Sequence, residues 1–197
     1  MNELFPIYVK LHQIQTLLVG GGAVGLEKLQ AILSNSPDAQ VHIVAKEVNP
    51  EVYTAVADKT NIRVSERAFK DSDVENVDLV ILATNNMPLN EHIRELTKEQ
   101  HILLNVADKP ALCDFYLGSV VQKGNLKIGI STNGKSPTVA KRIKELLNEL
   151  LPEEIDETLD LMGQLRDTLK GDFQEKVRVL NAHTKDILVK KSHDSTN

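Results

Sequence analysis

Three glycines in the spacing Gly20-x-Gly22-x-x-Gly25, with Gly21 between the first two, follow directly on the apolar run Thr16-Leu17-Leu18-Val19. When such a run is a strand and the next segment a helix, each glycine has its own use. The first permits a tight turn, the second lets backbone approach a pyrophosphate, and the third lets the helix pack on the strand. Ala23 and Val24 complete the loop, and the helix N-terminus that opens there offers amide donors and a positive dipole end suited to a diphosphate. The implied chemistry is binding of a dinucleotide. An acidic side chain for the adenosine ribose belongs about 20 residues further on, where the chain reads Val44-Ala45-Lys46-Glu47. Glu47 is the candidate and favours NAD. Lys46 beside it would instead tolerate a ribose phosphate, and both also read as solvated loop charges. Thr84 and Asn85, at the end of a later apolar run, are placed to touch the nicotinamide half, since ligands of open α/β sheets lie outside the carboxyl ends of the strands. The same residues also read as a cap for the helix that follows. Asp108, after another such run, is either a turn residue before Lys109-Pro110 or a carboxylate placed to accept a proton.

The elements that must position these groups alternate in type. Thr16–Val19, Val41–Ala45, Ile62–Ser65, Asp78–Ala83 and Ile102–Val106 read as strands. Helical spacing follows the glycine loop at Leu26, Leu29 and Leu33, Asn49-Pro50 reads as a cap and first helical residue, and Pro88–Gln100 reads as a helix. Five strand–helix alternations in little more than a hundred residues are the density of a Rossmann-type domain with a parallel sheet. Beyond Asp108 the pattern changes. Phe115–Val121 and Leu126–Ser131 form two apolar runs joined by Gln122-Lys123-Gly124-Asn125, a β-hairpin pattern. Ser136-Pro137 opens a helix with apolar positions Val139, Ile143, Leu146, Leu147 and Leu150. Pro152 begins a second helix, carrying Ile155, Leu159, Met162 and Leu165 and stopping at Gly171, and a third covers Phe173–Lys190. A lone hairpin with three helices needs a partner surface, so this part of the chain is expected to dimerise. The fold class is therefore α/β, a Rossmann-type parallel sheet followed by a β-hairpin dimerisation segment and a C-terminal helical segment. The expected boundaries are 1–113, 114–150 and 151–197.

Composition narrows the class. With 23 basic and 28 acidic side chains the net charge is −5, which argues against nucleic acid as the main partner. No secretory pattern opens the chain and no apolar stretch is long enough to span a bilayer, so a cytoplasmic protein without a membrane partner is expected. The single cysteine, Cys113, excludes an intrachain disulfide and reads as a buried packing residue. No two of the six histidines are at metal-ligand spacing, so no stable metal site is expected. The last residues, from Lys190, read as a frayed tail.

The glycine loop, Asn105-Val106-Ala107-Asp108-Lys109-Pro110 and Ile128-Gly129-Ile130-Ser131-Thr132-Asn133-Gly134-Lys135-Ser136-Pro137, in this order, resemble the siroheme synthase dehydrogenase/ferrochelatase family. Phe5-Pro6-Ile7 also fits, and the likeness runs from about Leu4 to Leu151. The resemblance implies an NAD-binding domain, a dimerisation segment and a helical segment that helps enclose a tetrapyrrole. The implied reaction is NAD-dependent dehydrogenation of precorrin-2 to sirohydrochlorin, followed in some members by insertion of ferrous iron as a second substrate. Asp108 matches the family aspartate that handles protons in both steps. Ser131, Asn133 and Lys135 fall in a family segment that relatives write Ser-Ser-Gly-Gly-Thr-Ser-Pro. From it come candidate substrate contacts, with Lys135, Lys141 and Arg142 as cations for the tetrapyrrole carboxylates. An ordinary charged helix face accounts for the same lysines. The resemblance leaves no room before Asn197 for the uroporphyrinogen methyltransferase domain of longer relatives. Two other readings stay open at this point. One is a dehydrogenase that leaves iron to a separate chelatase; the other is a non-catalytic, dimeric nucleotide-sensing Rossmann module.

Overall fold

The computed structural model describes residues 3–169 and 173–184. Two compact units divide at Leu117/Gly118. In the first, β1 (Gln15–Gly21), β2 (Gln40–Val48), β3 (Ile62–Glu66), β4 (Leu79–Leu82) and β5 (Leu103–Val106) form one parallel sheet in the order β3-β2-β1-β4-β5. Helices α1 (Ala23–Asn35), α2 (Pro50–Val56) and α3 (Met87–Glu99) connect them.

A parallel sheet covered on both faces needs apolar side chains at nearly every strand position. Leu17, Leu18 and Val19 of β1 and all of Leu79–Leu82 in β4 are buried accordingly. Leu17, Val19, Val44, Val80, Leu82 and Leu104 pack with Ile93 of α3 on one side. Leu18, Ile43 and Ile81 pack with Leu26, Leu29 and Ile32 of α1 and Val52 of α2 on the other. Leu33, an expected core position of α1, is only half-buried, and Ile32 takes the deeper place. Caps start the helices where expected. Asn49 Oδ1 accepts from the Glu51 amide at 2.9 Å, with Pro50 as first helical residue.

The crossover from β3 to β4 departs from the expected alternation of strand and helix. It carries only a 3-10 turn at Asp71–Val74. Within the turn only Val74 is apolar, and it enters the core with Phe69 and Val77 of the crossover packed against it; a side chain takes the place of a helix in fixing the segment. Asp73 accepts a fork from Arg67 (2.6 and 2.8 Å) and the Lys70 amide at 2.8 Å.

The second unit opens with an antiparallel hairpin, β6 (Ser119–Lys123) and β7 (Leu126–Ile130), joined through Gly124-Asn125 with Gly124 at φ +53°. The first strand begins at Ser119 rather than Phe115. Phe115 instead packs against the first unit's core. Helices α4 (Pro137–Leu150), α5 (Ile155–Thr168) and α6 (Phe173–Thr184) follow. After Pro152 the chain makes a turn and becomes helical at Ile155. The hairpin tip is tied to this junction. Asp156 accepts from the backbone and side-chain amides of Asn125 at 2.6 and 3.0 Å, and Lys123 reaches the Leu151 carbonyl at 2.8 Å and the Glu153 carboxylate. The expected stop at Gly171, the extension of the last helix to Lys190 and the tail beyond lie outside the described residues. Among the described residues no helix is long and apolar enough to cross a membrane.

The hydrogen bonds from Arg67 hold the Asp73 carboxyl below its usual range. A depressed folded pKa gives stability that is complete above the unfolded value, about 3.9, and is lost as pH falls through the folded one. Asp73→Asn should therefore cost about 2 kcal/mol near pH 7. The difference from wild type should narrow as the pH is taken below that unfolded value. Urea unfolding at neutral and at acid pH measures it.

Candidate functional site

The glycine loop lies at the carboxyl end of β1, the central strand, and its conformation is set by close backbone contacts. Gly20 has φ +118°, and a Cβ there would fall on the carbonyl oxygen of Ala83, just past β4. A Cβ on Gly25, in the first turn of α1, would strike the Gly20 carbonyl oxygen. A Cβ on Gly21 would come within 2.7 Å of the Glu47 carbonyl oxygen. Gly22 differs from these three: no atom lies within 4 Å of its Cβ position, so the space over it is open. Gly22 is also the N-cap of α1, has no side chain to cap with, and is followed by no acidic residue in the first turn. The amides at Ala23 and Val24 thus face an unencumbered, positively polarised end, which fits a diphosphate.

The other expected cofactor residues surround this loop unequally. In the β1–β2 pairing, Val19 is opposite Val44 and Gly21 opposite Val48, so β2 carries extra residues and bulges at Ala45–Glu47. That bulge brings Glu47 backbone against Gly21 and leaves the side chains of Lys46 and Glu47 exposed. Both therefore lie within β2 rather than in the loop beyond it. Thr84 has a structural role. Its hydroxyl donates to Asn90 Oδ1 at 2.9 Å and accepts from the Asn86 amide at 3.1 Å. Asn86 caps α3 through the Leu89 amide at 3.2 Å. Asn85 is exposed beside them. Asn90, fully buried, also donates to the Thr84 carbonyl at 3.1 Å and so fixes this loop. Sequence reasoning missed it. A polar residue on the buried stripe of α3, beside Ile93 and Thr97, was the available signal.

Asp108 sits in the turn that ends β5. The Lys109 amide donates to the Val106 carbonyl at 3.2 Å, and Ala107 bonds to the Leu82 carbonyl at 2.9 Å, which places the turn beside the end of β4. Asp108 has φ +58°, a left-handed conformation at the turn position that usually takes glycine or asparagine. Its carboxylate is exposed to solvent. Cys113 does more than pack. Its sulfur accepts from the Val106 amide at 3.2 Å and lies 3.3 Å from the carbonyl oxygens of Val106 and Lys109. Burial pushes the thiol's pKa up, so it stays protonated.

In the second unit, Asn133 (φ +54°) and Gly134 (φ +73°) form a tight turn closed by the Lys135 amide on the Thr132 carbonyl at 3.1 Å. Asn-Gly is the pair that tolerates two successive positive φ angles. Ser131 Oγ accepts from the Asn133 amide at 3.1 Å, and Ser136 Oγ from the Val139 amide at 3.2 Å, so both serines serve the turn and the helix cap. Lys135 is exposed. A cavity of about 530 Å³ lies elsewhere, at the amino ends of β1, β2 and β3, lined by His42, Arg63, Arg67 and Asp73 among others. Its position at the wrong ends of the strands separates it from the glycine loop. Among the described residues no group of three or more His, Cys, Asp or Glu side chains is arranged to hold a metal ion.

An open backbone cradle at a helix N-terminus, on the carboxyl side of a parallel sheet, makes the first unit a dinucleotide-binding domain of the Rossmann class. Residues 7–119 match the family described as "Putative NAD(P)-binding", and residues 123–150 match "Sirohaem biosynthesis protein central". The siroheme synthase of Vesicomyosocius okutanii subsp. Calyptogena okutanii is 37% identical over 173 residues, 88% of this chain and 36% of that protein. The siroheme synthase of Psychromonas ingrahamii is 34% identical over 168 residues, 85% of this chain and 35% of that one. The chain thus spans about a third of the length of these relatives. The solved structure titled "SirC, precorrin-2 dehydrogenase" superposes with a TM-score of 0.72 at 23% identity, over 95% of this chain and 93% of that one, which establishes the shared fold. The chain belongs to the siroheme synthase family.

The glycines are expected to separate by substitution. Gly20→Ala should destabilise the fold by several kcal/mol, on the order of 2–4, because its Cβ meets backbone at a positive φ. Gly22→Ala should leave the melting temperature unchanged and weaken NAD binding roughly tenfold, about 1.4 kcal/mol. Thermal melts and NAD titration measured side by side test both.

Proposed function

We propose that this chain oxidises precorrin-2 to sirohydrochlorin with NAD. The observation that carries this reading is Asp108, an exposed carboxylate held left-handed at the end of β5, two strands from the open glycine cradle of a siroheme synthase family domain. Gly22, Ala23 and Val24 would hold the diphosphate, Glu47 the adenosine ribose, and Thr84 and Asn85 the nicotinamide end. Glu47 favours NAD, since a carboxylate there pairs with ribose hydroxyls and repels a 2′-phosphate. Bound NAD supplies the hydride acceptor. Loss of hydride from a reduced tetrapyrrole must be matched by loss of a proton, and Asp108 takes that proton. On the second unit, Ser131, Asn133 and Lys135 contact the substrate, with the Lys135 ammonium meeting a tetrapyrrole carboxylate.

Iron insertion is the second part of the proposal. Ferrous iron enters as a substrate, the pyrrole N–H protons leave as it binds nitrogen, and Asp108 is again the acceptor. Support for a homodimer comes from α4. Val139, Ile143, Leu146 and Leu150 recur along one stripe and are 50, 39, 60 and 50% exposed, although apolar. Among the described residues of this unit the buried apolar side chains are few, namely Val121, Ala140, Leu151 and Ile155, so a second copy covering the stripe would complete a small core.

Anaerobic incubation with precorrin-2 and NAD should yield sirohydrochlorin and NADH in equal amounts, and Asp108→Ala should abolish turnover while NAD still binds. Turnover undiminished in that variant removes Asp108 from the chemistry. Adding ferrous iron to sirohydrochlorin tests the second step in the same vessel. Light scattering at micromolar protein should give a dimeric mass for the wild type and a monomeric mass for Leu146→Glu; a wild-type monomer would discard the interface.

A further inference from the structure

The sheet ends at β5, whose outer edge has no strand beside it among the described residues. An unpaired edge leaves alternate amides without partners. Here the returning chain at Cys113–Phe115 supplies acceptors, largely from side chains. The Leu104 amide donates to Asp114 Oδ2 at 3.0 Å, and the next amide on that edge, Val106, donates to the Cys113 sulfur at 3.2 Å. The Asp114 amide answers on the Leu104 carbonyl at 2.7 Å, and Asn105 Nδ2 donates to the Phe115 carbonyl at 2.8 Å. Arg94 of α3 anchors the strap through Asp114 at 2.5 Å.

This strap grips the Asp108 turn on both sides. The Cys113 sulfur touches Val106, two residues before Asp108, and the carbonyl of Lys109, one residue after it. A non-glycine residue in the left-handed region persists only where its surroundings over-determine it. We propose that Cys113, anchored by the Arg94–Asp114 pair, is a positioning residue that holds Asp108 in its left-handed, proton-accepting orientation. The proposal rests on the reading of Asp108 as the proton acceptor. Serine at 113 keeps one donor and one acceptor on a side chain of similar length; alanine keeps neither.

Two measurements test the clamp. In the dehydrogenase assay, Cys113→Ala should lower kcat about tenfold, as small misplacements of a reacting group do. KM for NAD should stay at the wild-type value, and Cys113→Ser should recover most of the rate. The second measurement uses no substrate. Asp108→Gly should raise the melting temperature by roughly 2–4 °C, because glycine accepts a positive φ without strain. In the Cys113→Ala background, where the turn is free to relax, the same change should give no gain; if that background does not fold, Cys113→Ser carries the cycle and should keep the gain. Wild-type kcat in Cys113→Ala, an equal thermal gain with and without the thiol, or no gain in Cys113→Ser would overturn the clamp. A wild-type chain inert toward precorrin-2 would overturn the functional reading instead, and the thermal cycle would still decide the clamp.

Discussion

The arrangement of the site depends on one stack of backbone contacts at the carboxyl end of β1. The Ala83 carbonyl lies where a Gly20 Cβ would be, and the Gly20 carbonyl lies where a Gly25 Cβ would be. Strand β4 therefore presses on the loop, and the loop on the first turn of α1. No other residue type permits this approach, and the positive φ at Gly20 adds a second reason for glycine. The consequence is positional. The N-terminus of α1 is drawn down to the sheet edge, its cap position Gly22 is left bare, and amides that would point into a side chain or another element instead face open space. The open space over Gly22 thus follows from the packing constraint on the other three glycines.

The opposite margin of the sheet solves a different problem. A five-stranded sheet with β1 at its centre leaves β5 as an edge, and the amides of that edge must go somewhere. A sixth strand would pair them uniformly and leave the end of β5 to run straight. Side-chain acceptors pair them one at a time, from Asp114 and Cys113, and the chain can then turn sharply at Asp108 and double back. The Asp114 carboxyl is raised by burial, but Arg94 and the Leu104 amide outweigh this and hold it below the usual range, so it remains an ionised acceptor at neutral pH. Edge protection and placement of the turn are one device.

Much of this was legible from residue order. The strand before the glycines, the caps at Asn49 and Ser136, and the hairpin with Gly124 at its turn rest on short-range chemistry, and the parallel sheet follows from their alternation. What stayed hidden depends on contacts between distant segments. Asn90 looks like one more polar helix residue until its side chain is seen buried against Thr84. Cys113 reads as a small apolar residue because a thiol's hydrogen bonds leave no trace in spacing. The β3–β4 crossover lacks its helix because Arg67 and Asp73, six residues apart, fix a polar turn that periodicity does not register. Phe115 was assigned to the hairpin by its hydrophobicity, but Asp114 and Asn105 tie that stretch to β5, so it packs with the sheet.

Asp108 shows what the turn after β5 costs the scaffold. Position for position, glycine would fit the turn better, since an L-residue in the left-handed region gives up about 1 kcal/mol or more. Aspartate is among the side chains that tolerate the region best, because its short polar group can be solvated there. The turn thus carries the one carboxylate compatible with its backbone at a modest penalty, and several contacts oppose relaxation: the Val106 carbonyl, the Leu82 carbonyl and the Cys113 sulfur. The strain is thus opposed from three directions, and the proton transfer proposed for Asp108 would account for a carboxylate at a position where glycine would be less strained.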